Sequence, residues 1–162
     1  MDGLIRDHGG RIANTAGDSV LAEFPSAVDA VQCAVAIQER LGATNAAVPE
    51  DRRLQFRIGV HLGDVAVRGG DLLGDGVNIA ARLEGIAEPG AVCLSESVHA
   101  FVRKALPLVY TDLGAQVVKG IDEPVRVYAA SRLAAQVTSL NNAFEATEKP
   151  SIAVLPFVNL KW

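Results

Sequence analysis

Apolar positions along this chain alternate between two rhythms, and the switches between them mark its elements. Met1–His8 can form at most two helical turns before Gly9-Gly10 ends them. Two short apolar-rich runs, Arg11–Ala16 and Ser19–Phe24, flank Gly17-Asp18 and predict a hairpin. After Pro25-Ser26 the rhythm lengthens. Ala27, Val31, Ala34, Ile37 and Leu41 recur at three- and four-residue spacing, with Ser26 placed to cap and Asp29 in the first turn, so a helix is expected. Gly42–Asp51 reads as a loop, and Leu54–Leu62 with Asp64–Val67 as a second strand pair joined near Gly63. The glycine-rich stretch 69–76 then leads into a helix over about Val77–Ala87, stopped by Pro89-Gly90. A short strand (Ala91–Leu94), a helix capped by Ser95 (about Glu96–Lys104) and two strands (Ala115–Val118 and Val125–Ala129) follow. Hairpins mixed with helices predict an α+β fold with a mostly antiparallel sheet, and not a Rossmann alternation.

The end of the chain breaks this order. Residues 131–149 are polar and alanine-rich and read as a linker. Pro150 is followed by Ser151-Ile152-Ala153-Val154-Leu155-Pro156-Phe157-Val158, a buried-strand pattern close to the last residue. A lone core strand with nothing after it has no sheet to join, so 150–162 is expected to open a second domain that is absent.

Composition narrows the function. Of 162 residues, 49% are hydrophobic and 21% charged, enough to bury one ordinary core. The net charge of −4 is spread without a basic stripe and aromatics are 5%, which argues against nucleic acid as a partner. A small triphosphate is not excluded, because a few placed cations suffice to hold one. No apolar run approaches the roughly 18–20 residues that span a bilayer, and Met1–Arg6 lacks a signal-peptide core, so a cytoplasmic location is expected. Cys33 and Cys93 lie far apart in apolar stretches and read as reduced core residues.

Three segments place polar residues where a loop meets a rigid element. In Asn14-Thr15-Ala16-Gly17-Asp18, the aspartate by itself suits a turn. In Asp75-Gly76-Val77-Asn78-Ile79-Ala80-Ala81-Arg82, Asn78 and Arg82 stand four apart on one helix face near its positive end, while Ile79, Leu83 and Ile86 point elsewhere. An exposed Asn and Arg there also fit a merely solvated face. Lys119-Gly120, a cation at a strand end, means little alone.

Together and in order, these segments resemble bacterial class III adenylate/guanylate cyclases. Gly9-Gly10-Arg11 with Asn14 through Phe24 is similar to that family's hairpin, and Arg57-Ile58-Gly59-Val60-His61-Leu62-Gly63-Asp64-Val65 to its central strand pair. Gly74 through Leu83 is similar to its signature helix, and Val118-Lys119-Gly120 with Glu123-Pro124-Val125 to its C-terminal strands. The resemblance covers residues 1–130 as one domain and implies a ferredoxin-like α+β fold with helices on one face of the sheet. Gly69-Gly70-Asp71-Leu72 does not make the chain a diguanylate cyclase, whose signature requires an acid where Leu72 stands.

The resemblance also implies a chemistry: conversion of ATP to 3′,5′-cyclic AMP and pyrophosphate with two Mg²⁺ or Mn²⁺ ions bound by two aspartates. Asp18 matches the second aspartate. Arg82 would stabilise charge on the pentavalent phosphorus, worth about 3–5 kcal/mol in a closed site. Asn78 would orient the ribose, Lys119 would hold the terminal phosphates, and Asp71 would accept from the adenine amino group. Asn14 stands where adenine-selective members carry Lys; its amide can still bond the base edge but without charge. The family's sites form between head-to-tail subunits, so a homodimer, or a heterodimer with an intact cyclase, is implied. The strand that carries the family's first metal aspartate precedes a helix of which Met1–His8 matches only the end. The chain is therefore expected to lack its first strand and to be truncated at both ends. The competing expectation is an inactive fragment that binds nucleotide or only dimerises.

Overall fold

The structure, a computed structural model, describes residues 2–16, 19–69, 71–118, 121–132 and the strand 151–156, the last through its backbone. In chain order the elements are α1 (Asp2–Asp7), β1 (Arg11–Ala16), β2 (Ser19–Phe24), α2 (Ala27–Asn45) and β3 (Arg57–Val60). There follow β4 (Ala66–Arg68), β5 (Asp71–Leu73), α3 (Asp75–Ile86), β6 (Val92–Ser95), α4 (Glu96–Val102), β7 (Val109–Gln116), β8 (Val125–Ser131) and β9 (Ser151–Pro156). The α+β class is as the sequence predicts, and antiparallel pairings outnumber parallel ones by four to three once the β4–β5 ribbon is included.

Local chemistry accounts for the framework. The Ser26 hydroxyl accepts from the Val28 and Asp29 amides at 3.2 and 3.4 Å, which satisfies two donors at the start of α2. The inner side of α2 buries Ala30, Val31, Cys33, Ala34, Val35 and Ile37. Gln38 on the same helix donates at 3.0 Å to the carbonyls of both Phe56 and Ala91, bolting α2 to the entries of β3 and β6. Cys33 and Cys93 are free and buried, and burial pushes both thiols up to about 11, so they stay protonated.

The main sheet has the order β1-β2-β9-β3-β6-β8-β7. Pairings β1–β2, β6–β8 and β8–β7 are antiparallel, and β2–β9, β9–β3 and β3–β6 are parallel. The segment expected to find no sheet therefore takes the central slot. Gly59 pairs with Ala153 on one side and Cys93 on the other, and Leu21 pairs with Ala153 from the far edge. The physical reason is simple: β2 and β3 would otherwise face each other with unpaired amides and carbonyls, and an apolar extended segment satisfies both rows. The intervening stretch read as a linker lies outside the described residues from 133 to 150, and Ser131 belongs to β8.

Three further expectations change. Helices lie on both faces, not one. Ile58, Val60, Val92 and Leu94 pack in the main core with α2 and α4, while Cys93 and Val127 pack with Leu83 and Ala87 of α3 on the reverse side. The strand after Gly63 does not pair with β3: β4 joins β5 in a separate two-stranded ribbon, with Val67 opposite Leu72, so the glycine-rich connection is itself a hairpin. The strand placed at Ala115–Val118 begins earlier, at Val109.

Candidate functional site

Of the candidate residues, Asn14, Asn78, Arg82 and the backbone of Asp71 lie on elements at the α3 side of the sheet. A bulge between Ile12 and Asn14 brings Asn14 opposite Leu21. Leu21 and Ala13 both pack against the small core of Leu72 and Ala80, with Val65 and Val77 closing it. That cluster unites β1, the β4–β5 ribbon and the first half of α3, so Asn14, the backbone of Asp71 and the start of α3 share one region. Asn14 is exposed.

On α3, Gly76, Ala80 and Leu83 are buried, whereas Asn78, Ala81, Arg82 and Gly85 are exposed. These four recur at helical spacing and form one stripe, polar groups separated by small residues. A guanidinium and an amide one turn apart can address a phosphate and a hydroxyl together, and small neighbours let another surface come close. Asp18 and Lys119 lie outside the described residues, so the structure brings together Asn14, Asp71, Asn78 and Arg82 only at the level of their elements.

Close approaches fix where this stripe stands. A Cβ on Gly59 would lie 2.3 Å from the Ala80 carbonyl oxygen, 2.4 Å from the Glu84 nitrogen and 2.9 Å from the Leu83 Cβ. Only glycine lets α3 lie this near to β3. At the helix start, Gly74 has a φ of +135°, and Cβ atoms on Gly74 or Gly76 would each come within 3.2 Å of the Asp64 carbonyl oxygen. In the sequence Gly59 and His61 belong to a strand motif and carry no separate task. A glycine inside an apolar strand was the available signal for such a close crossing.

Metal ions demand hard oxygen donors. Among the described residues no three His, Cys, Asp or Glu side chains come together as a metal site. The segment in the central slot, Ser-Ile-Ala-Val-Leu-Pro, contains no carboxylate. Among the described residues, then, no cluster of three or more such donors is assembled for metal ions.

With this geometry in view, comparison with known proteins assigns the family. Residues 1–131 match the family model of the adenylate and guanylate cyclase catalytic domain. The chain is 43% identical over 164 residues, 99% of its length, to "Putative adenylate cyclase 3" of Rhizobium meliloti, of which it covers 28%. Among solved structures it is similar to an adenylate/guanylate cyclase/hydrolase from Silicibacter pomeroyi: 43% identity, TM-score 0.77, 80% of this chain and 77% of that one. The fold is also that of the adenylyl cyclase CyaB from P. aeruginosa, at 24% identity, TM-score 0.63, with 80% and 75% covered. The chain belongs to the adenylate and guanylate cyclase catalytic domain family. Domains of that family act on nucleotides with divalent metals and as dimers. The chain spans about a quarter of the length of the Rhizobium relative. Among the described residues, no helix is long and apolar enough to cross a membrane.

Proposed function

We propose that this chain is one half of an adenylate cyclase site: it supplies the ribose- and phosphate-facing groups to a partner cyclase domain, which converts ATP to cyclic AMP and pyrophosphate. The observation that carries this reading is the exposed Asn78–Ala81–Arg82–Gly85 stripe on a helix locked to the sheet, beside a central strand without a carboxylate. One surface is equipped and the other is not. Head-to-tail pairing explains how the two features coexist, because the groups on α3 serve the metal site of the opposite subunit. The partner that completes the site is a cyclase domain with its own metal aspartates; a second copy pairs head to tail without completing it.

In this reading Arg82 stabilises the charge that grows on the α-phosphate as the 3′-oxygen attacks, and Asn78 holds the ribose so that attack is in line. Lys119 binds the terminal phosphates. Asp71 accepts from the adenine amino group and so favours ATP over GTP, with Asn14 bonding the base edge. Mg²⁺ or Mn²⁺ activates the 3′-hydroxyl and neutralises the leaving pyrophosphate. Asp18 binds a metal ion. The cyclase domain is residues 1–131, with β9 joined into its sheet between β2 and β3. The cytoplasm, where ATP is plentiful, is the proposed location.

The test is turnover by the purified chain with ATP and Mn²⁺. Little or no cyclic AMP is expected from the chain alone. Robust turnover that Asp18→Ala abolishes would contradict the half-site reading.

A further inference from the structure

His61 follows directly on β3 and stands between two helix starts. Its Nδ1 lies 2.9 Å from the Ser95 Oγ, and that hydroxyl lies 3.0 Å from the Ser97 Oγ. Ser95 is 2% exposed and occupies the residue before α4, in extended backbone, where a serine hydroxyl ordinarily accepts from an amide of the first turn. Here it makes no such bond: α4 begins without a side-chain cap. The hydroxyl is committed to the imidazole and Ser97 instead.

The opposite edge of the ring meets the approach to α3. A Cβ on Gly63 would lie 2.9 Å from His61 Nε2 and 3.3 Å from the Cα of Gly76, in the first turn of α3. One residue on, the Asp64 carbonyl lies against Gly74 and Gly76. The start of α4, the imidazole, the Gly63 backbone and the start of α3 thus form a stack with no space for an added side chain. Burial pulls His61 down to about 4, so the ring is neutral at neutral pH, a rigid plane with one directed hydrogen bond.

We propose that His61 is a positioning residue: anchored by Ser95, it sets how far the first turn of α3 stands from the ends of β3 and β6, and thereby where Asn78 and Arg82 point. The structural half of this inference stands on geometry alone, and its consequence for turnover rests on the proposed half-site function.

Two readouts on the full chain separate these halves. The first is amide hydrogen exchange. His61→Ala is expected to speed exchange at Asn78–Ala80 about tenfold or more while the buried amides of α2 keep their rates. Ser95→Ala is expected to reproduce the effect, and His61→Asn, whose amide can still meet the Ser95 hydroxyl, to recover most of it. Unchanged exchange at the start of α3 in His61→Ala would overturn the inference, as would an effect of His61→Ala that Ser95→Ala does not share. If His61→Ala exchanges everywhere at once, the inference rests on His61→Asn and Ser95→Ala: wild-type rates at the start of α3 in Ser95→Ala overturn it.

The second readout is cyclic AMP formed when the chain is mixed with a cyclase lacking its own Asn–Arg pair. His61→Ala is expected to lower kcat about 10- to 100-fold with KM for ATP changed less than threefold, and His61→Asn to restore it. Equal turnover by wild type and His61→Ala would overturn the catalytic consequence. Failure of the wild-type chain to support turnover, with the exchange pattern as expected, would remove the half-site function and leave the positioning role standing.

Discussion

Gly59→Ala is the substitution that asks most directly whether α3 is held against the sheet as described. The new methyl would sit 2.3 Å from one backbone atom of α3 and 2.4 Å from another, where ordinary contact begins near 3.4 Å. The obstruction is helix backbone and not the far end of a flexible side chain, so α3 must retreat by about 1 Å. Overpacking of this kind costs about 1–3 kcal/mol, and a rigid obstacle places it near the upper end. For a domain of this size about 3 kcal/mol lowers Tm by roughly 10 °C. The same retreat carries Asn78 and Arg82 with it, and a 1 Å misplacement of reacting groups can cost about 100-fold in rate. The assay is a thermal melt of Gly59→Ala beside Gly42→Ala, with activity measured in the mixed-subunit reaction. Gly42 is an exposed glycine inside α2 whose Cβ would meet nothing within 4 Å, so its replacement should stabilise by about 0.5–1 kcal/mol. A Gly59→Ala chain that melts with the wild type would refute the close crossing and the placement of the site built upon it.

Three further outcomes are expected. His61 is a base whose folded pKa, about 4, lies below its ordinary 6.5, so the unfolded chain binds the proton first as pH falls. Stability present above pH 6.5 should be lost progressively down to about pH 4, by about 2–4 kcal/mol, and His61→Asn should flatten that slope in urea melts taken across the range. Arg82→Ala should leave Tm within about 1–2 °C, because the side chain is exposed, yet lower mixed-subunit turnover by about 10²–10³-fold; a large Tm loss would mean that Arg82 serves the fold. Ala153→Pro removes an amide from a strand paired on both sides and should cost about 3 kcal/mol or more in a thermal melt. A wild-type melt for that variant would contradict the central place of β9.

What the sequence made legible was local. Ser26 followed by apolar residues at helical spacing specified α2 because capping and periodicity both act within a few residues. The run around Asn78 and Arg82 placed those side chains on an exposed face of α3 for the same reason, and its order with the flanking segments carried the family. Pairing partners were not legible. Ser151–Pro156 reads as a buried strand from its own composition, but its neighbours Val20–Phe24 and Arg57–Val60 lie over 90 residues earlier, and nothing local names them. The face taken by α3 was hidden likewise: β3 and β6 are buried on both sides, but with Arg57 and Gly59 or Cys93 and Ser95 on the second side no apolar alternation announced a helix there. The β4 and β5 strands are three residues each with exposed positions such as Val67 and Leu73, too short for a period-2 pattern to separate them from a loop. Asp18 and Lys119, named from the resemblance, lie outside the described residues, and their roles rest on the proposed function.

The central claim is that this chain presents the Asn78–Arg82 face to a partner's metal site. The most direct measurement mixes the chain, at micromolar concentration with ATP and Mn²⁺, with a cyclase domain that keeps its metal aspartates but has lost its own Asn–Arg pair, and follows cyclic AMP. Half-site function predicts turnover that appears only in the mixture, saturates at one chain per partner and disappears with Arg82→Ala. No turnover in the mixture, or turnover that Arg82→Ala leaves untouched, would contradict it.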